Sequence, residues 1–172
     1  MDAQDLPVVV EVPPGLAGVV VARTSIGDVR GDEGFYQYRD RSAVELARTA
    51  SFEDVWHLLV VGDWPTPAQS ADFAARIAAA RGRDDILETA RLLFDAAGDP
   101  VAALKAAWPV LAARRGMRPL YDLDEAGRLS DAVELAALVP VLLGAVHELS
   151  AGREPAASEP GAGTVADYLA RV

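Results

Sequence analysis

Apolar residues recur every three or four positions along most of this chain, and short polar or glycine-proline stretches separate the runs. From residue 42 onward that spacing predicts helices, each opened by a hydroxyl or acidic residue and most of them closed by glycine. Ser42 and Ser51 each stand three residues before an acid, Glu45 and Asp54, the arrangement of a capping box. Phe52, Val55, Trp56, Leu59 and Val60 mark one apolar face of the second helix, and Gly62 ends it. Thr66-Pro67-Ala68-Gln69 opens a third, expected to run to Arg81 before Gly82, because the missing N–H of proline costs nothing in a first turn. A fourth starts at Asp84 or Asp85, with Ile86, Ala90, Leu93 and Ala97 on one face and Gly98 at its end. Asp99-Pro100 starts a fifth that reaches Arg115 and Gly116 and bends at Pro109. A loop over 116–127 leads to a sixth, capped by Ser130 and spanning 131–151, apolar nearly all round and so expected at the centre of the fold. Thr164 caps a last helix of about two turns.

Before residue 42 the pattern differs. Residues 1–14 mix apolar side chains with Asp, Glu and the pair Pro13-Pro14, and predict an extended arm. Residues 19–29 are rich in β-branched side chains and 35–39 alternate aromatic with polar ones. Gly31, Asp32 and Gly34 between them supply a turn, so a small antiparallel hairpin is predicted. The expected fold class is all-α, mainly helical, with a small N-terminal β-hairpin, organised as the arm 1–14 and a helical domain over 15–172.

Composition narrows the function classes. At 172 residues and 51% hydrophobic the chain can bury a real core. A net charge of −10 repels nucleic acid, and the one dense basic cluster, Arg114-Arg115 with Arg118, reads as the charged end of a helix. The absence of cysteine excludes disulfides, thiolate nucleophiles and Cys-ligated metals. Met1-Asp2-Ala3-Gln4-Asp5 lacks the pattern of a signal peptide, and the longest apolar run, 135–146, is too short to span a bilayer. A cytoplasmic protein with neither nucleic acid nor membrane as partner is the expectation.

Few residues offer chemistry. His57 lies between Trp56 and Leu58, with Asp54 three positions away to orient the ring, and reads as a structural histidine. His147 falls in the last turn of the long helix near Glu148 and Glu154, where a helix end favours a cation. Arg39, Asp40 and Arg41 make a charged turn whose guanidinium forks suit a carboxylate. The glycines at 27–34 and 161–163 match neither a P-loop nor a dinucleotide fingerprint. The acidic pairs Asp84-Asp85, Glu53-Asp54 and Asp122/Asp124 read as helix starts. No catalytic, cofactor-binding or metal-ligating residue is assigned.

The most particular wording lies in residues 15–65. Gly15-Leu16-Ala17-Gly18-Val19-Val20, Thr24-Ser25-Ile26, Tyr38-Arg39, Val44-Glu45-Leu46-Ala47 and the run from Phe52 through Leu58-Leu59 and Gly62 to Pro65 follow one another in order. This stretch resembles the opening of the large domain in the citrate synthase family. Residues 138–147 followed by Gly152-Arg153-Glu154-Pro155 resemble that family's apolar helix and its exit, and Val165-Ala166-Asp167-Tyr168-Leu169 resembles the segment after it, with Asp167 where the family prefers Asn.

The resemblance implies a reaction that condenses acetyl-CoA or propionyl-CoA with oxaloacetate, giving citrate or 2-methylcitrate and CoA. It also implies that the catalytic groups come from a His-Gly-x-Asn-Ala-Ser-Thr segment, a Gly-Pro-x-His-Gly-Gly segment and a later Asp. None of these occurs in residues 1–172, and neither His57 nor His147 is followed by glycine. The chain is therefore expected to be the N-terminal portion of such an enzyme, inactive alone, with acyl-CoA as substrate and no bound cofactor. Its expected partner is a second copy in a homodimer or a complementing C-terminal polypeptide. The alternative is a non-catalytic helical scaffold or regulatory module that pairs through its apolar faces.

Overall fold

The computed structural model describes residues 13–20, 22–82, 84–159 and 161–172, so all but the last two residues of the arm expected over 1–14 lie outside them. Strands β1 (Gly27–Arg30), β2 (Phe35–Tyr38) and β3 (Arg41–Ser42) form an antiparallel sheet in the order β1-β2-β3. Gly27 faces Tyr38 and Arg30 faces Phe35, while Gln37 faces Ser42. Between β1 and β2 a 3₁₀ turn, Gly31–Glu33, closes on Gly34 at φ 62°, a left-handed backbone that glycine adopts without strain.

Two features depart from the predicted hairpin. Regular pairing begins at Gly27 rather than at residue 19, because the four residues of β2 are all taken up by Gly27–Arg30 and nothing remains to bond the β-branched residues upstream. A third strand is added after the bend at Arg39, which itself holds a left-handed φ of 56°. Near the start, Pro14–Leu16 forms a 3₁₀ turn where the proline pair predicted extended chain. Proline at the first position of a turn lacks only an N–H that the turn does not use.

Among the described residues seven α-helices follow: α1 (Ala43–Thr49), α2 (Phe52–Val61), α3 (Pro67–Arg81), α4 (Asp84–Ala97), α5 (Pro100–Arg114), α6 (Glu125–Ser150) and α7 (Thr164–Leu169). Ser42 and Ser51 accept from the N–H groups of Glu45 and Asp54, as their spacing predicts. The reciprocal half of the box forms at α3, where the Gln69 side chain also accepts from the Thr66 N–H at 2.9 Å. Replacing Thr66 with alanine removes the hydroxyl that accepts from the Gln69 N–H and leaves the backbone N–H that Gln69 accepts from, and a loss of about 1 kcal/mol in unfolding free energy is expected. A urea midpoint unchanged from the parent would refute the importance of that cap.

The two last helices start elsewhere than predicted. α6 begins at Glu125, six residues before the expected 131, because Asp124 caps it by accepting from the Gly127 N–H at 2.8 Å. The extra turns carry Leu129 onto the core made with α3. Gly163, not Thr164, occupies the N-cap of α7, and no side chain caps it from within.

α6 is the shared element of two cores. Leu138, Val141, Leu142 and Ala145 pack with Ile86 and Ala90 of α4 and with Ala107 and Leu111 of α5. Val133 and Ala137 pack with Phe73, Ile77 and Ala80 of α3. The alanines let the helix backbones approach closely, and the larger side chains fill the gaps between them. By length and composition α6 could cross a membrane, but the side just named is spent on its helical neighbours.

Candidate functional site

The pattern of α2 sets the first feature of the site. Its predicted apolar face was Phe52, Val55, Trp56, Leu59 and Val60, yet the residues it buries are His57 and Leu58. Phe52 is 52% exposed, and together with Trp56 and Leu59 it lines an open apolar groove of about 800 Å³. The helix is apolar on two sides, so periodicity alone does not say which side meets the core. Pro140 and Leu143 of α6 form the floor of the groove, and Tyr168 of α7 forms a wall. Pro140 has no N–H to give to the carbonyl of Ala136, so this apolar floor carries a backbone acceptor without its usual helical donor.

The second feature is a charged latch that holds α7 in place. Asp167 is 2% exposed and accepts from the Ser158 hydroxyl at 2.9 Å, the Glu159 N–H at 2.8 Å and the Arg171 Nη2 at 3.1 Å. Arg81, also buried, places its Nη1 3.5 Å from the same carboxylate and donates from Nη2 to the Ala162 carbonyl at 2.7 Å. Arg171 donates in addition to the Ala156 carbonyl. From α2, Glu53 accepts from the Thr164 N–H at 2.6 Å, which satisfies the first turn of α7 in place of the missing cap.

Burial pushes the Asp167 carboxyl up, but the bonds from Arg171, the Glu159 N–H and Ser158 outweigh it and hold the group below its ordinary 3.8. Glu53 follows the same balance: burial raises it, and the bonds to Thr164 with the nearby Arg81 charge bring it below 4.5. A depressed carboxylate contributes stability that is complete above its unfolded value and is lost as pH falls through the folded one. The latch is therefore expected to be intact at neutral pH and to weaken below about pH 4. Thermal unfolding followed from pH 7 to pH 3 checks this. Asp167→Asn should flatten the acid limb of the curve, and an acid limb identical to the parent's would refute the assignment.

The residues that sequence reasoning raised as chemistry do not come together. His57 is buried, with Nδ1 3.1 Å from the Asp63 carbonyl and its ring edge-on to Phe73. A carbonyl only accepts, so Nδ1 carries the proton and the ring serves the turn after α2. Asp54 does not orient it, since that carboxylate accepts from Ser70 at 2.5 Å. His147 is exposed, and its Nε2 lies 4.0 Å from Glu148, whose carboxylate is already held by Arg153 at 2.5 and 2.6 Å. Glu154 turns instead to Arg91 at 2.9 Å.

Arg39 and Arg41 also part company. Arg39 donates to Ser25 and to the Leu59 carbonyl at the end of α2, while Arg41 stacks over Trp64 at 4.5 Å. Of the acidic pairs read as caps, Asp85 binds Arg115 at 2.9 and 3.1 Å. Arg115 also reaches Glu134 of α6 at 2.7 Å, with a side chain only 2% exposed, so this predicted helix-end cation is an interior tie between α4, α5 and α6. Among the described residues no group of three or more His, Cys, Asp and Glu could hold a metal.

The order of these elements, a small sheet, two short capped helices and a central helix leading through an irregular connector to α7, has counterparts elsewhere. The family description "Citrate synthase, C-terminal domain" matches residues 15–172. The chain belongs to the citrate synthase family. A citrate synthase from Synechocystis sp. is 32% identical over 145 residues, which take in 82% of this chain and 35% of that enzyme. A 2-methylcitrate synthase from Mycobacterium tuberculosis is 30% identical over 92% of this chain and 39% of its own length. The crystal structure of citrate synthase from Pyrobaculum aerophilum superposes with a TM-score of 0.72 at 26% identity, covering 88% of this chain and 39% of that one. The chain thus spans roughly two fifths of the citrate synthases it matches, and its mainly helical fold is theirs.

Sequence reasoning missed the latch residues for a physical reason. Arg81, next to Gly82 at a helix end, looks like a solvated cation, and only the return of the chain 81 residues later brings a carbonyl to it. The one local signal was the four-residue spacing of Asp167 and Arg171, which places both on one helix face.

Proposed function

We propose that residues 15–172 serve as the helical body of a citrate synthase-type enzyme, acting on acetyl-CoA or propionyl-CoA with oxaloacetate, and that other polypeptide supplies the proton-transfer groups. The observation that carries this reading is the family match across 15–172 together with the superposition on the Pyrobaculum enzyme. Condensation at the acyl methyl needs a carboxylate base to take a proton and neutral donors to hold the enolate oxygen. His57 is turned into a backbone contact and His147 stands at the surface without a free acid, so neither fits that task. The acyl-CoA is substrate in this scheme, and the chain requires no resident cofactor.

The test is thiol release. The pure chain is expected to liberate no CoA from acetyl-CoA or propionyl-CoA plus oxaloacetate above the rate without protein. Turnover by the chain alone, abolished by His57→Ala or His147→Ala, would overturn the division of labour. A chain that stays inactive with every complementing polypeptide, and binds none, would support a helical interaction module instead.

A further inference from the structure

Of the sixteen lysine and arginine residues in this chain, Lys105 alone is a lysine, and it stands exposed on the second turn of α5. Arginine keeps its proton, whereas a lysine amine is a nucleophile once neutral. Among the described residues Lys105 makes no hydrogen bond or ion pair. That freedom has a local cause. α5 itself holds no acid, and Asp99 at its N-cap is spent on the Ala102 N–H at 2.7 Å. The α4 acids Glu88 and Asp85 go to Arg114 and Arg115 at the other end of the helix. Positions four apart share a helix face, so Val101 and Pro109 flank Lys105. Val101 is 59% exposed, and Pro109 is exposed as well.

Resting on the functional reading above, which brings acyl-CoA to this protein, we propose that Lys105 is an acylation site that takes an acetyl or propionyl group from the thioester. The neutral Nζ attacks the thioester carbonyl carbon and forms an amide bond, while the C–S bond breaks and its electron pair leaves on sulfur. The proton lost by nitrogen ends on that sulfur, so CoA departs as the thiol and nothing is oxidised or reduced. No carboxylate holds the amine in its charged form, and the short acyl chain finds apolar side chains on either side of it. The product removes one positive charge from a chain whose net charge is −10. That same charge repels the CoA phosphates and keeps the reaction slow, so it adds nothing on the timescale of a turnover assay. The chain thus carries a single covalent record of its exposure to acyl thioester.

The experiment uses the full 172-residue chain, incubated at mildly alkaline pH with acetyl-CoA or with propionyl-CoA and without oxaloacetate. Intact mass counts the acyl groups, and peptide mapping separates Lys105 from the amine of Met1. One acyl group is expected on Lys105, and Lys105→Arg should lose it together with one equivalent of released thiol. Val101→Glu supplies the missing acid four residues before the lysine and should slow acylation about twofold by holding the amine charged. Both positions are exposed, so neither substitution disturbs the core.

The proposal is overturned if the label is confined to Met1, or if Lys105 reacts more slowly in the folded chain than in a free peptide of residues 101–109. An acylation rate unchanged by Val101→Glu overturns it too, because the unpaired amine would then not be the cause. The two readings fail separately. Labelling of Lys105 in a chain that no complementing polypeptide activates sinks the functional proposal and keeps the acylation site, whereas an active assembly whose Lys105 stays free does the reverse.

Discussion

Asp167→Ala is expected to lower the unfolding free energy by about 3–5 kcal/mol, the range for removing one partner of a buried ion pair. The midpoint of thermal unfolding should fall by roughly 10 °C. The size follows from what remains. The side chains of Arg81 and Arg171 are 2% and 4% exposed, and Asp167 is the acid both of them address. Without it, two guanidinium groups stay buried with carbonyls as their main partners, and Ser158 and the Glu159 N–H lose their acceptor as well. Asp167→Asn, which keeps the shape and some bonds but not the charge, should fall between the parent and the alanine variant. A loss below about 1 kcal/mol would mean that water reaches the arginines and that the latch is a surface pair in effect.

Gly144→Val is the second large effect, expected to cost about 3 kcal/mol at the upper end of the overpacking range. A Cβ at position 144 would stand 3.0 Å from the Arg171 Cβ and 3.1 Å from its Cδ, and valine adds two methyl groups beyond that point. Helix propensity alone favours replacing glycine, so the sign is decided by whether Arg171 can give way. It cannot move freely, because Asp167 and the Ala156 carbonyl hold its head. The two predictions are therefore coupled. In the Asp167→Ala background Arg171 is released, and the additional cost of Gly144→Val should shrink by at least about 1 kcal/mol. Strict additivity in urea midpoints would show that Gly144 and the latch act independently.

Much of the helical scaffold was legible because its signals are local. Ser42, Ser51 and Thr66 with Gln69 fix helix starts through bonds that reach three residues, and Gly62 and Gly98 take the left-handed backbone just past helix ends. The family resemblance was legible for the same reason, since it rests on runs of consecutive residues in 15–65. What the sequence hid was non-local. Asp124 and Ser130 are both sound N-caps, and the turn before Ser130 is helical because Leu129 packs against the core that α6 makes with α3.

The candidate site was the least visible part. The stripe on α2 was read as one apolar face, and its spacing did not tell that Leu58, outside it, goes inward while Phe52, within it, is exposed. Arg115 was read as a helix-end cation and proves to be an interior tie, because its partners Asp85 and Glu134 are brought to it by two other helices. His57 was read as structural, and its bond to the Asp63 carbonyl gives that reading a mechanism.

The contact between Glu53 and the Thr164 N–H spans 111 positions of sequence. A ribosome adds about 5–20 residues per second, so Glu53 leaves the tunnel roughly 5–20 s before its partner does. Over that interval Glu53 and Arg81 stay hydrated on nascent α2 and α3. The newborn pair must keep its shape through Phe73, whose ring meets Trp56 and His57 at 5.7 and 5.2 Å. Vectorial synthesis thus leaves the drying of these charges to the closing moments of biogenesis, after an aromatic clasp has already set the angle between the two helices.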